Sequence, residues 1–278
     1  MRRLIPEVGP IVVDDTYRGL VLPAPAPGDL RAWTALGMVA SVDGGVTVDG
    51  VSAGLGGAAD RVAFRRLRGA CDAILVGAGT VRAEDYAPPR APSSRVAERT
   101  AAGLAPAPQL LVVTASADLD PAARVFTSER DAGVPAPIVV TRRAAPTERV
   151  DALRAVAEVV TFGESVVDLD AVLRWCLARG LARVLCEGGP TLNGALAAAG
   201  LVDEVFLTLS PHLVAGTAGR IVTGPALDSP LALELTELHE HDGELLLRYR
   251  TVRPADRTPG SNGGVASLRR PSGDEEIR

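Results

Sequence analysis

The segment Glu187-Gly188-Gly189-Pro190-Thr191-Leu192 places a carboxylate and a glycine pair between the apolar run 184–186 and a helical pattern. Glycine lets the backbone approach a ligand without a Cβ in the way, and the free N–H groups of a helix start attract phosphate. A second apolar run, 73–76, ends in Gly77-Ala78-Gly79-Thr80-Val81-Arg82. One Gly-x-Gly after a strand is as well explained by a tight turn. Two glycine-bearing strand ends in the same chain point to a nucleotide. Arg82 stands where a G-x-G-x-x-G signature has its third glycine, and no acidic residue closes the next strand in sequence, 110–113, which disfavours the ordinary dinucleotide fold. Instead, the run 110–113 ends in Thr114-Ala115-Ser116, whose hydroxyls can hydrogen-bond a ribose 2′-phosphate that a carboxylate would repel. A plain Ser/Thr turn accounts for those residues nearly as well.

Other polar residues fall at element ends. Asp43, in Ser41-Val42-Asp43-Gly44-Gly45, can touch a substrate or fix a loop. Ser52, Asp60 and Arg61 flank the glycine-rich stretch Gly54-Leu55-Gly56-Gly57 ahead of a helix. Arg68 lies near that helix's end, where a guanidinium can grip a substrate phosphate in bidentate fashion or lie along a solvated face. Glu84 and Asp85 follow Gly79-Thr80 and can act simply as acids beside a helix. His239-Glu240-His241 puts two imidazoles on one strand face without a third ligand, so an exposed hairpin edge is favoured over a metal site. His212 sits in a turn. No Gly-x-Ser-x-Gly elbow, P-loop or Cys/His cluster occurs, which disfavours a hydrolase triad, a kinase-type NTPase and a zinc enzyme together.

These residues need strands to carry them. Apolar runs predict strands over 33–40, 72–77, 109–114, 137–141, 156–161, 182–186, 203–209, 231–238 and 244–251. Helical periodicity predicts helices over 58–70, 147–154, 168–179 and 190–199, with Asp168 or Asp170 as a cap and Gly180 and Gly200 as stops. Strands separated by helices give a largely parallel sheet. His241-Asp242-Gly243 adds a late antiparallel hairpin. The expected class is α/β, with a mixed, mostly parallel sheet ending in that hairpin. The expected organisation is a surface arm over 1–30, one domain over 31–253 and a disordered tail over 254–278.

Composition sets the outer limits. With 278 residues, 47% hydrophobic but only 3% aromatic, the core must be built from Val, Leu, Ala and Ile. All basic residues are arginine, and the net charge of −5 gives no broad attraction to nucleic acid. Cys71, Cys176 and Cys186 lie in apolar segments without Cys-x-x-Cys spacing, which fits a reduced, cytoplasmic setting. Pro6, Glu7, Gly9 and Pro10 interrupt any apolar core behind Arg2 and Arg3, so no signal peptide is expected. No apolar stretch approaches the roughly 20 residues that span a bilayer.

Taken in order and spacing, Ser41-x-Asp43-Gly44, the Ser52-to-Arg61 loop, Val76-Gly77-x-Gly79-Thr80-Val81-x-x-Glu84-Asp85, Thr114-x-Ser116 and Glu187-Gly188-Gly189-Pro190-Thr191-Leu192 resemble the pyrimidine reductases of riboflavin biosynthesis. Those form the C-terminal half of the bifunctional riboflavin deaminase–reductase and are related in fold to dihydrofolate reductase. The resemblance covers residues 33–252. It implies a three-layer dihydrofolate reductase-like fold, NADPH as cofactor and a homodimer. It also implies hydride transfer to C1′ of a ribosylaminopyrimidine. By resemblance, Gly77, Gly79, Thr80, Glu84, Thr114, Ser116, Gly188, Gly189, Pro190, Thr191, Leu192 and Asn193 hold the cofactor. Ser52, Arg68 and Glu187 face the substrate, with Asp43 and Glu187 as catalytic candidates; no metal is implied. The chain departs from the family in two ways. It has no deaminase half, and Gly54-Leu55-Gly56 stands where the family commonly carries a tryptophan and a small hydroxyl residue. The second departure keeps two alternatives open: a dihydrofolate reductase-like activity on a pteridine, and a non-catalytic NADP-binding module.

Overall fold

The computed structural model describes residues 1–6 and 8–253. The expected tail over 254–278 lies outside them. In chain order the elements are β1 (Arg2–Ile5), β2 (Gly9–Pro10), β3 (Trp33–Ser41), α1 (Ala58–Ala70), β4 (Ala73–Gly77), α2 (Ala78–Ala83), α3 (Ser93–Ala101), β5 (Gln109–Val113), α4 (Arg124–Thr127) and β6 (Ile138–Thr141). There follow α5 (Thr147–Arg154), β7 (Glu158–Thr161), α6 (Leu169–Ala178), β8 (Arg183–Cys186), α7 (Pro190–Ala198), β9 (Glu204–Ser210), β10 (Leu233–His241) and β11 (Glu244–Thr251).

The strands form one sheet in the order β2-β1-β10-β11-β9-β3-β8-β4-β5-β6-β7. From β9 to β7 every neighbouring pair is parallel, whereas β11, β10, β1 and β2 are joined by antiparallel pairs. The mixed, mostly parallel sheet with a late hairpin is therefore present. At the hairpin turn Asp242 (φ 50°) and Gly243 (φ 84°) both take the left-handed conformation that a type I′ turn requires.

Both faces of the parallel strands are covered, which is why those strands read as continuous apolar runs. Ile74, Val76, Leu110, Val112 and Val139 point to one face, where they meet α1, α4 and α5. Leu75, Leu111, Ile138 and Val140 point to the other, against α6 and α7. The result is three layers. Asp168 caps α6 by accepting from the Ala171 N–H at 3.0 Å, and Gly180 and Gly200 follow α6 and α7 with positive φ.

Residues 1–30 lie closer to the body than a surface arm. β1 pairs with β10, and Tyr17 and Leu22 are buried in the core. The Tyr17 ring lies 5.3 Å from His239 and 5.4 Å from Phe206. His239 is consequently buried, not exposed on a hairpin edge, and it pairs with Glu237 at 2.7 Å. Pairing residue 2 with residue 240 leaves no local pattern in the sequence. Helices α2 and α3 were equally silent: α2 is six residues long, and the buried side chain of α3 is Arg99 instead of an apolar stripe.

Arg99 has a specific task. Its guanidinium is 1% exposed and donates to the carbonyls of Arg68, Gly69 and Cys71 at 2.8–3.1 Å and of Ala105 at 2.7 Å. The end of a helix leaves carbonyls without intrahelical partners. Arg99 satisfies those at the end of α1 and so fixes the backbone that carries Arg68.

Candidate active site

A cleft of ≈ 750 Å³ runs across the carboxyl ends of β3, β8, β4, β5 and β6. This is where open parallel sheets bind ligands, and the volume suits a cofactor with a substrate. At its centre the two glycine turns touch. The Gly77 N–H donates to the Gly188 carbonyl at 2.7 Å. A Cβ on Gly77 would come within 3.2 Å of the Gly189 nitrogen, and one on Gly189 within 2.9 Å of Thr80 Oγ1. A side chain at either position would crowd the facing turn, tightly at Gly77 and against the Thr80 hydroxyl at Gly189. Gly188 has φ 87°, and its peptide bond to Gly189 is cis.

Two helices start here, α2 after Gly77 and α7 after Gly189, the latter with Pro190 in its first turn. Their opening N–H groups lack intrahelical acceptors. Gly79 lines the cleft, and a Cβ on it would meet nothing within 4 Å, so open space lies beside its backbone. Uncommitted amides, helix starts and free space fit the diphosphate of a dinucleotide.

Toward β5 and β6 the lining continues through Thr114, Ala115, Ser116 and Arg142, with Arg82 from α2 and Ser165, Val166, Val167 and Leu169 ahead of α6. Arg142 donates through Nε to the Ala115 carbonyl at 2.8 Å and through Nη1 to that of Ser165. Arg82 donates to the Asp118 carbonyl at 2.5 Å. Two guanidiniums and the hydroxyl residues Thr114, Ser116 and Ser165 thus line this end. Arg82 announces itself in the sequence only as the residue that spoils a glycine signature. Arg142 has a faint signal, a basic pair closing a strand.

Toward β3 the lining changes to Gly37, Met38, Val39, Val46, Thr47, Gly50, Ser52 and Phe64, with the carboxylates of Glu84 and Glu187. Glu84 accepts from the Ser52 N–H at 2.7 Å, which pins the tight turn bridged by Val48 and Val51. Glu187 is 8% exposed. Arg68 grips it in a bidentate fork, Nε to Oε1 at 2.6 Å and Nη2 to Oε2 at 2.7 Å. The Tyr86 hydroxyl donates to Oε2 at 2.6 Å and accepts from Arg68 Nη2 at 3.0 Å. Burial works against the Arg68 charge, but the facing carboxylate outweighs it and holds the guanidinium above its ordinary pKa. Burial, then the Glu187 charge, push the Tyr86 phenol well above its usual value, so it stays a donor.

Ser52, Gly77, Gly79, Thr80, Glu84, Thr114, Ser116, Glu187, Gly189, Pro190, Thr191 and Leu192 all line the cleft. Asp43, Arg68, Gly188 and Asn193 do not. Gly188 turns its carbonyl toward β4. Asn193 points into the core, donating to the Ile221 carbonyl at 2.8 Å and accepting from the Cys186 thiol at 3.2 Å. Arg68 stands behind Glu187, its fork already filled. Asp43 faces another loop: its carboxylate accepts from Ser41 Oγ at 2.5 Å and from the N–H groups of Val214 and Ala215 at 2.7–3.3 Å.

Two carboxylates, one near in sequence and one distant, account for the glycine loop. Glu244 accepts from the Gly57 N–H at 2.5 Å, and a Cβ on Gly57 would meet that carboxylate at 2.8–2.9 Å. A Cβ on Gly56 would collide with the Asp60 carboxylate. Burial raises the Asp60 pKa. Two tucked-in carboxylates occupy the space that larger residues at 56 and 57 would need.

Comparison with known proteins places the chain among reductases. Residues 32–247 match the RibD C-terminal domain family. A 2,5-diamino-6-ribosylamino-4(3H)-pyrimidinone 5′-phosphate reductase from Methanothermobacter thermautotrophicus is 34% identical over 227 residues, 79% of this chain and 98% of that protein. The riboflavin biosynthesis protein RibD of Mycobacterium tuberculosis is 32% identical over 209 residues, 71% of this chain and 50% of its own length. Among solved structures, a pyrimidine reductase-like protein from Corynebacterium diphtheriae superposes with a TM-score of 0.75 at 27% identity, covering 87% of this chain and all of that one. No helix among the described residues is long and apolar enough to cross a membrane.

Proposed function

The chain belongs to the RibD C-terminal domain family, and from that membership we propose that it is an NADPH-dependent reductase of riboflavin biosynthesis acting on a ribosylaminopyrimidine phosphate. The observation that carries this reading is the cleft in which both glycine turns meet, lined also by Glu187, directly ahead of the Gly188-Gly189 turn, and by Glu84, directly after the helix that follows Gly77. A nicotinamide bound there would supply the hydride that converts the ribosylamino C1′ to the ribitylamino level. The backbone amides at the starts of α2 and α7 would hold the diphosphate, with Gly77, Gly79, Thr80 and Gly189 keeping the approach open. Thr114 and Ser116, with Arg82 and Arg142 beside them, favour a 2′-phosphate, which is the ground for choosing NADPH over NADH. Glu187, as a carboxylate already accepting from three donors, would orient a polar substrate edge. Chain groups at the substrate end contribute by positioning, which is worth up to roughly 7–11 kcal/mol in favourable systems.

A second reading has one observation in its favour. At the β3 end Met38, Val39, Val46 and Phe64 line the cleft with Thr47, Ser52 and two carboxylates, and the guanidinium that reaches them, Arg68, is already taken up by Glu187. An apolar slot with a carboxylate suits dihydrofolate. NADPH oxidation followed at 340 nm decides. Turnover with the ribosylaminopyrimidine phosphate supports the lead reading, turnover with dihydrofolate alone supports the second, and tight NADPH binding with neither rejects both.

We further propose a homodimer. The strand register puts Leu207, Leu209, Leu235, Leu238 and Leu245 on one face of β9, β10 and β11, where they are only half-buried, and Leu233 beside them is 41% exposed. An apolar sheet face of this kind calls for a partner. Sedimentation should give twice the chain mass, and Leu209→Glu should give a monomer.

A further inference from the structure

We infer that Arg68 and Tyr86 are positioning residues, which act through Glu187 to hold its carboxylate as a fixed hydrogen-bond acceptor for an N–H edge of the substrate. The inference deepens the functional reading above and rests on it. A carboxylate offers about four acceptor directions. The Arg68 fork takes one on each oxygen and Tyr86 takes a second on Oε2. The direction left over is on Oε1. Glu187 lines the cleft whereas Arg68 and Tyr86 do not, so the two donors address it from behind.

Each link in the clamp is itself fixed. Arg99 holds the α1 backbone at Arg68, and the Glu187 N–H donates to the Leu75 carbonyl of β4 at 3.0 Å. The guanidinium also lies 4.8 Å from the centre of the Phe64 ring and 5.7 Å from that of Tyr86. Phe64 lines the same end of the cleft. An acceptor held this rigidly needs no reorganisation when the substrate arrives, which is the advantage of a preorganised site. A substrate presenting a carbonyl or phosphate oxygen to Glu187 would be repelled; one presenting an amino or ring N–H would be held.

The test is a cycle of variants in the full chain, assayed with 2,5-diamino-6-ribosylamino-4(3H)-pyrimidinone 5′-phosphate. Arg68→Lys keeps the charge and loses the fork. We expect its KM to rise about tenfold, with kcat within threefold and the Kd for NADPH within twofold of wild type. Tyr86→Phe should raise KM three- to fivefold with the same split. In a Glu187→Gln background Tyr86→Phe should add less than twofold, because its route of action is already gone. A full Tyr86→Phe effect in that background, a parallel rise in the NADPH Kd, or an unchanged KM in either single variant would overturn the inference. Should the wild-type chain not reduce this compound, the functional reading fails and the clamp is judged without substrate. A crystal structure of the Arg68→Lys/Tyr86→Phe double variant then decides. A Glu187 carboxylate turned out of its present plane upholds the clamp, and one left in place refutes it.

Discussion

On the function proposed above, the two ends of the cleft would recognise ligands by different means. At the proposed cofactor end the working groups would be backbone amides of two glycine turns, with Arg82, Arg142, Thr114 and Ser116 lining the cleft beyond them. At the substrate end the backbone recedes. Two carboxylates would do the polar work there, Glu187 and also Glu84, which the sequence resemblance assigns to the cofactor; each is held by a distant segment, Glu187 by Arg68 and Tyr86, Glu84 by the Ser52 amide. An amide-built site tolerates side-chain drift as long as its glycines stay. A carboxylate-built site can change its ligand when one neighbour changes.

The largest effect should come from breaking the substrate end. Glu187→Ala leaves Arg68, whose side chain is 29% exposed, and Tyr86 without their shared partner. Removing one member of a buried pair commonly costs 3–5 kcal/mol, and the partial exposure of Arg68 puts this case at about 3 kcal/mol. Denaturant unfolding should show that loss; a change under about 1 kcal/mol would mean that the clamp adds little. Glu187→Gln should lose much less stability while still failing to orient the substrate.

Breaking the cofactor end should cost affinity instead of stability. Gly189→Asp drives a side chain toward Thr80 Oγ1 and sets a negative charge where the diphosphate would lie. NADPH binding should weaken by well over tenfold, on the order of 2 kcal/mol. Titration with unchanged affinity would remove the turns from the binding site.

How far the sequence reveals each end follows from the same contrast. Glycine turns are short local patterns, so Gly77-x-Gly79 and Gly188-Gly189 can be read from the chain, as can the parallel strands that deliver them. The substrate end is made of contacts between distant residues, 119 positions apart for Arg68 and Glu187 and 101 for Tyr86 and Glu187. Nothing around Arg68 distinguishes a guanidinium that faces a substrate from one that stands behind a carboxylate. Tyr86 carries no local signal at all. The same limit hides the attachment of β1 and β2, and the reason for Gly57, which lies with Glu244.

Arg142→Ala should sharpen the account of the cofactor end. With its guanidinium removed from beside Ser116, the preference for NADPH over NADH should fall about tenfold, roughly 1.4 kcal/mol. The Kd for NADH should hardly move, since NADH has no 2′-phosphate to lose. A proportional loss for both cofactors would place Arg142 in the architecture of the 142–165 contact and not in cofactor choice.

The smallest effect should come from Asp43, which touches neither end. Its carboxylate ties the turn after β3 to the loop at Val214 and Ala215. The Ser41 hydroxyl foremost, then the Ala215 N–H, hold its pKa down at about 2, below the ordinary 3.8. A carboxyl depressed on folding contributes stability above its unfolded pKa and loses it as the pH falls through the folded one. Wild type should therefore melt slightly above Asp43→Asn at pH 7, with the gap narrowing below about pH 4 and closing near pH 2. Because the group is exposed, the gap should also be small. KM, kcat and the NADPH Kd should stay within twofold in the variant. A fall in kcat at constant melting temperature would put Asp43 back among the catalytic residues and move the edge of the substrate end to include the Ser41-to-Gly45 turn.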